Sequence, residues 1–211
     1  MDGATPQVPE AVGKAAGEAP VWERVAACRL CAPRFRATPT AHEPRPVAWF
    51  RPPARVLIAS QAPGMRAHEG GTPFMDPSGV RLRAWMGLGE DEFYDQGKVA
   101  IVPMGFCFPG YDAGGGDIPP PAVCWETWRR PALAALPHVR CTLLVGGMAQ
   151  AWHLGRGSMA ERVRRWREHA PLLWPLPHPS WRNTAWLKRN PWFEAEVVPA
   201  LRARIREVLD G

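Results

Sequence analysis

A three-layer α/β/α sandwich around a mainly parallel four-stranded sheet is the fold class this sequence predicts, on three observations. Four short apolar runs recur along the chain, each closed by a Pro or Gly turn signal. The segments between them place apolar residues at helical spacing. Strands that alternate with helices in this way argue for parallel pairing, with both faces of the sheet covered. At 211 residues and 46% hydrophobic content, the chain suffices for one full core. A single domain is therefore expected over residues 21–211.

The elements follow in order. Residues 1–20 are rich in Ala, Gly and Pro and poor in large apolar side chains, so a disordered or loosely attached tail is expected. Arg55–Ser60 is a β-branched run between Pro52-Pro53 and Pro63-Gly64, the pattern of a buried strand. After a Pro-Ser-Gly turn, Val80–Met86 has helical spacing. Val99–Met104 is the second strand. Gly105 to Pro121 has no clear pattern, and Gly110–Gly116 reads as a mobile loop. Val123–Leu136 is a helix with Trp and Leu on one face. Cys141–Val145 is the third strand, stopped by Gly146-Gly147, with a short helix to Leu154. Ser158 suits the cap of a basic helix over Met159–His169. Leu172–Leu176 is the fourth strand. Asn190-Pro191 reads as the cap and first position of a last helix reaching Leu209.

No run of 18 or more apolar residues occurs, so no membrane-spanning helix is expected. The first twenty residues carry acidic side chains and no apolar segment, so they do not read as an export signal. The expected compartment is the cytoplasm. The net charge of +6 and pI near 9.5 favour polyanionic partners through counterion release, though charge alone identifies none. Eleven Trp are present; most should be packing residues, with two or three available for stacking or wedging.

Two strand ends carry chemistry. Leu57–Gly64 reads Leu-Ile-Ala-Ser-Gln-Ala-Pro-Gly, a strand running into a tight turn whose Pro63 and Gly64 leave amides free near a ligand. Phe74 follows Gln61 by thirteen residues, within Gly-Gly-Thr-Pro-Phe-Met-Asp-Pro-Ser-Gly. Downstream, Leu172–Asn183 ends in His178-Pro179-Ser180-Trp181-Arg182-Asn183. A His between two prolines has little backbone freedom, so its ring is aimed. Both motifs sit at strand carboxyl ends, where open α/β sheets build their sites. Separately, each also fits an ordinary loop.

Together and in this order, the motifs resemble those of the uracil-DNA glycosylase superfamily, most closely its iron–sulfur branch, over roughly Cys28 to Leu209. The resemblance implies a glycosylase of damaged DNA, acting on a base extruded from the stack. It casts His178 as a hydrogen-bond donor to the departing base and Phe74 as the surface on which that base stacks. Ser180 becomes a phosphate contact, and Trp181, Arg182 and Asn183 become wedge or groove residues. Ala62 and Gly64 would border the base. Departures accompany it. Ser60 replaces the leading Gly of the motif. Gln61 stands where the iron–sulfur branch has a water-activating Glu, and Ala62 where the most efficient branch has its catalytic Asp. Gln61 is thus left to position water. Asp76 and His68 are fallback bases, Asp76 being better placed to cap the turn at Pro77-Ser78.

Cys28-x-x-Cys31, Cys107 and Cys124 are two close and two distant thiols, while Cys141 lies inside an apolar strand as a small hydrophobe. Thiolates suit either a 4Fe–4S cluster or a structural zinc, and spacing alone does not separate them. Disulfides would need an oxidising compartment. The resemblance favours the cluster, in a structural role. It also implies an Asn that reads uracil four residues before the third Cys, and that position is Pro103. Proline has no side-chain amide to offer. Backbone groups from Met104 to Phe106 are the remaining candidates for reading a base, and other deaminated bases such as hypoxanthine or xanthine stay open. Two further readings stand beside the glycosylase. One is a protein of this fold that binds or traps DNA or abasic sites with little turnover. The other is a metal-stabilised nucleotide hydrolase or interaction module.

Overall fold

A computed structural model describes residues 18–211, so the expected tail lies almost wholly outside the described residues. Strands β1 (Val56–Ala59), β2 (Val99–Ile101), β3 (Cys141–Val145) and β4 (Leu173–Leu176) form one sheet in the order β2-β1-β3-β4, with every pairing parallel. Alternation along each strand sorts the side chains onto two faces. Val56, Ile58, Val99, Ile101, Cys141, Leu143 and Val145 point into one core. Leu57, Ala100 and Val102 point into the other.

The helices close both faces. On the amino-terminal side lie α1 (Val21–Ala26) and α2 (Ala32–Arg36). Between β1 and β2 come α3 (Met65–Gly70), α4 (Pro77–Met86) and α5 (Glu90–Tyr94). Then follow α6 (Ala122–Ala134), α7 (Gly147–Leu154), α8 (Met159–Arg164), α9 (Thr184–Arg189) and α10 (Val198–Asp210). Leu82, Trp85 and Met86 of α4 meet Leu201, Ile205 and Val208 of α10 in the first core. On the opposite face, Val25 of α1 and Cys124 and Ala132 of α6 fill the second. Truncating a fully buried strand residue such as Leu143 to Ala should cost about 2–5 kcal/mol, because dense cores relax only partly around a void. Among the described residues, no helix is long and apolar enough to cross a membrane.

Several element ends differ from expectation for identifiable reasons. The second strand stops at Ile101 rather than Met104, since Pro103 has no N–H. The chain nonetheless continues beside β1: the amides of Val102, Met104 and Gly105 donate to the carbonyls of Ile58, Ser60 and Gln61 at 2.9, 2.8 and 2.9 Å. Pro175 is tolerated in β4 because that strand is an edge. The fourth helix begins at Pro77, not Val80, as Asp76 caps it by accepting from the Gly79 amide at 3.1 Å. The basic helix after Ser158 ends at Arg164 and gives way to a 3₁₀ turn over Trp166–Glu168. The last helix is preceded by a wide π-type turn, Phe193–Val197. Pro199 accounts for it, since proline lacks the N–H and crowds the carbonyl four residues earlier. Asn190 does not cap that helix by its side chain; its Oδ1 accepts the Trp192 indole N–H at 3.0 Å instead.

Candidate active site

In the order β2-β1-β3-β4 the connections after β1 and β3 leave in opposite directions, and that switch point opens a crevice at the strand carboxyl ends. A cleft of about 710 Å³ lies there. Gln61, Ala62, Gly64, Phe74, His178, Ser180, Trp181, Arg182 and Asn183 all line it. Two motifs distant in sequence are thus brought to one opening.

His178 is the best-defined side chain of the cleft. Its Nδ1 accepts the Ser180 amide at 3.2 Å, and Asn183 donates through Nδ2 to the His178 carbonyl at 2.8 Å. From α4, Arg81 donates through Nη1 to the carbonyls of Pro179 and Ser180 at 3.1 and 3.3 Å. Beneath the ring lies Gly146, whose φ of +85° favours glycine. With Nδ1 accepting, the neutral ring carries its proton on Nε2 and is left with a donor. Burial pushes the His178 pKa below the usual histidine value, opposed by the charges of Asp76 and Asp117 and reinforced by Arg182. The loop thus holds a neutral imidazole with an aimed N–H.

Phe74 lies on another wall, at a φ of +56°. For a bulky residue this left-handed backbone costs about 1–3 kcal/mol and persists only where the surroundings over-determine it. Gly64, by contrast, has an ordinary extended backbone, with φ −82° and ψ 178°. A Cβ built on it would meet nothing within 4 Å. Neither its backbone nor its surroundings require a glycine here.

The Gln61 side chain makes no hydrogen bond among the described residues and lines the cleft beside Ser60. Asp76 and Asp117 are the carboxylates in the cleft lining. Both are engaged: Asp76 holds Gly79 and Ser78, and Asp117 pairs with Arg182 at 3.0 Å. His68 is absent from the lining; its ring packs among His42 and Phe108. Trp181 is 77% exposed at the rim. Tyr111 and Asp117 also line the cleft, and their antiparallel bridge closes a tight loop whose Asp112 side chain accepts from the Gly114 and Gly116 amides. Nothing in the sequence distinguished Tyr111, Arg81 or Asp117 from ordinary loop and helix residues.

Met104 requires a correction. It does not line the cleft, and only 2% of its surface is exposed. The backbone amides proposed as base readers are also committed, those of Met104 and Gly105 to Ser60 and Gln61, and that of Phe106 to the Cys124 sulfur at 3.4 Å. Pro103 is the residue of this stretch that does face the cleft. Behind it, the fully buried Arg129 donates through Nη1 to the carbonyls of Val102 and Pro103 at 3.0 and 3.3 Å, and through Nη2 to His153 Nε2 at 2.6 Å. Burial, reinforced by the Arg129 charge, pushes His153 down to about 3, so it stays a neutral acceptor.

The four spaced cysteines, Cys28, Cys31, Cys107 and Cys124, line a second, narrow apolar pocket with Phe35, Gly105, Phe106 and Trp128, while Cys141 sits apart in β3. Trp128 Nε1 donates to Cys28 Sγ at 3.2 Å. Burial raises the thiol pKa of Cys31, Cys107 and Cys124, the last to about 11. The sulfurs of Cys124, Cys31 and Cys28 push Cys107 further in the same direction. Among the described residues, no group of three or more His, Cys, Asp or Glu is drawn together around a point that would hold one metal ion.

With this geometry in hand, comparison with protein families gives one finding. The family model described as the uracil DNA glycosylase superfamily matches residues 47–202, a span that takes in the whole sheet and every cleft-lining residue.

Proposed function

The chain belongs to the uracil DNA glycosylase superfamily, and on that premise we propose that it hydrolyses the N-glycosidic bond of uracil or another deaminated base in DNA, the opening step of base excision repair. The observation that carries this reading is His178: a neutral ring whose Nδ1 accepts the Ser180 amide, leaving Nε2–H for a ligand. As the bond between sugar C1′ and base nitrogen breaks, its electron pair goes to the base and negative charge grows on the base oxygens. The Nε2–H donates to such an oxygen. A preorganised donor of this kind is among the largest catalytic terms available to an enzyme.

Phe74 stacks on the extruded base, Gln61 holds the water, and Asp76 and Asp117 offset the positive charge of the oxocarbenium-like sugar. The water oxygen bonds to C1′ and releases its proton to the departing base or to solvent. Outside the cleft, Trp181 is the wedge that fills the space left by the flipped nucleotide, with Ser180 and Arg182 contacting phosphate and Asn183 bracing the loop. Pro103 offers no side-chain amide and the Met104, Gly105 and Phe106 amides are committed, which argues against the usual paired reading of uracil at that strand end. The proposed substrate class is therefore deaminated bases in general, hypoxanthine and xanthine included.

For the cysteine pocket we propose a 4Fe–4S cluster, with structural zinc as the alternative. The shared pocket and the N–H···S contacts to Cys28 and Cys124 support thiolates held for a metal. A single zinc needs four ligands about 2.0–2.3 Å from one point. A cluster takes one thiolate at each of four irons, so its four thiolates need not meet at a single point. Its role is to fasten α1, α2 and the segment after β2 to one another. It supplies no step of the hydrolysis.

The test is a panel of duplex and single-stranded oligonucleotides, each carrying one modified base, scored for free base and abasic sites. Release of uracil, hypoxanthine or xanthine is expected. No release from any member, with a protein–DNA adduct that survives denaturation, would replace this reading by a trapping function.

A further inference from the structure

The glycosylase reading leaves Phe74 unexplained in one respect: an aromatic residue in left-handed backbone needs something to keep it there. Two neighbours meet that need. The first is Gly79, in the opening turn of α4. A Cβ built on it would lie 1.8 Å from the Phe74 carbonyl oxygen, 2.8 Å from its carbonyl carbon and 2.9 Å from its Cβ. No real Cβ tolerates the first distance, so any larger residue at 79 must move the Phe74 backbone. The second is Tyr94, at the end of α5. Its single hydroxyl proton is shared between the carbonyls of Pro73 and Phe74, whose oxygens lie 3.1 and 3.2 Å from the Tyr94 oxygen on either side of the strained residue.

Tyr94 is itself held. Arg83 of α4 donates through Nη1 to the Tyr94 oxygen at 3.3 Å, and its guanidinium lies over the Phe93 and Tyr94 rings, 5.7 Å from each centroid. Trp49 meets the Tyr94 ring edge-on at 5.7 Å. Phe93 supports Phe74 edge-on at 6.2 Å. Burial raises the Tyr94 pKa, so the phenol keeps the proton it donates. Strain of this kind persists only where the surroundings over-determine it, and it clusters at ligand sites.

We infer that Gly79 and Tyr94 are positioning residues that lock Phe74 in its left-handed conformation as the platform on which the extruded base stacks. The inference rests on the glycosylase reading and adds to it: the aromatic surface is preset, not formed when the base arrives. Neither residue touches the base. Their loss should therefore weaken capture of the flipped base much more than the bond-breaking step, and should leave binding to undamaged duplex unchanged.

The experiment uses the full chain, with Tyr94→Phe, Gly79→Ala, Phe74→Ala and the double variant Tyr94→Phe/Phe74→Ala. The probes are a duplex carrying the base best excised in the panel, the same duplex with a fluorescent purine analogue as a flipping reporter, and undamaged duplex. Tyr94→Phe should raise the half-saturating lesion concentration about five- to tenfold, change the maximal excision rate less than threefold and reduce the flipping signal. Gly79→Ala should do the same more strongly. In the Phe74→Ala background, Tyr94→Phe should add nothing, because residues that act through one contact are not additive. Additive losses in the double variant, or a Tyr94→Phe protein with wild-type lesion binding, would overturn the inference. Should Gly79→Ala fail to fold, Tyr94→Phe and the double variant decide alone. A wild-type protein that flips the reporter with the expected non-additivity yet releases no base would overturn the hydrolytic reading and support the positioning one.

Discussion

The cleft and the cysteine pocket share one segment, which lends Pro103 and Pro109 to the cleft and Gly105, Phe106 and Cys107 to the cysteine pocket, yet they are built on opposite terms. In the cleft, polar groups face outward: among the described residues Gln61 and one ring N–H of His178 have no hydrogen-bond partner, and Trp181 stands in solvent. In the cysteine pocket the thiols are half-buried or buried among Phe35, Phe106 and Trp128. Burial drives both toward neutral forms, lowering the pKa of His178 and raising those of three thiols. For the histidine, neutrality is the working state of a hydrogen-bond donor. Metal-binding thiols must instead lose their protons, and they do so only with a cation present. Under the proposed metal assignment, one pocket is finished as folded and the other would be completed by a bound cation.

Breaking the cleft should have the largest effect. His178→Ala should slow single-turnover excision by on the order of a hundredfold or more, the usual loss for one preorganised donor. Affinity for DNA should change far less, as phosphate contacts dominate it. Breaking the cysteine pocket should act on stability first. Cys107→Ser should lower the Tm by several degrees, a chain of this size shifting about 2–4 °C per kcal/mol. Excision per folded molecule should fall less than tenfold. A collapse of the rate to the His178→Ala level with the fold intact would make the two pockets one functional unit.

A smaller effect, of pH on stability, comes from the buried His153 beside Arg129. Its folded pKa of about 3 lies below the ordinary 6.5. As the pH falls through 6.5 the unfolded chain takes up a proton that the native chain refuses, so stability is complete above that value and declines below it. Melting temperature should therefore drop between about pH 6.5 and 5, above the usual carboxylate range. His153→Gln should remove part of that drop. The smallest change is expected at the rim. Arg182→Met breaks an exposed ion pair worth little to stability. It should weaken DNA binding a few-fold and reduce its salt dependence by about one phosphate contact.

Much of this architecture was legible in the chain because its signals are local. Four apolar runs with Pro or Gly at their ends placed four strands, and helical segments between them placed a covering layer on each face of the sheet. The Asp76 cap also follows from a single residue and the Pro that comes after it. What stayed hidden depends on contacts between distant segments. Met104 occupies a plausible position in sequence, but its amide is spent on Ser60, a pairing visible only once β1 and the continuation of β2 lie side by side. Arg81 and Arg83 look like the polar face of a helix; one braces the His178 loop and the other the Tyr94 hydroxyl. The wide turn at Phe193–Val197 replaced a smooth helix because Pro199 acts on the turn before it.

The central claim is that His178 stands in the cleft as a neutral ring with its proton on Nε2. Nitrogen-15 NMR of the histidine side chains, assigned through His178→Ala and followed from pH 8 downward, tests it directly. A protonated Nε2, a bare Nδ1 and no charging of the ring are expected as the pH passes the ordinary value of 6.5. A proton on Nδ1, or titration at or above 6.5, would contradict it, because the N–H would then point away from the base or the ring would carry charge before the base departs.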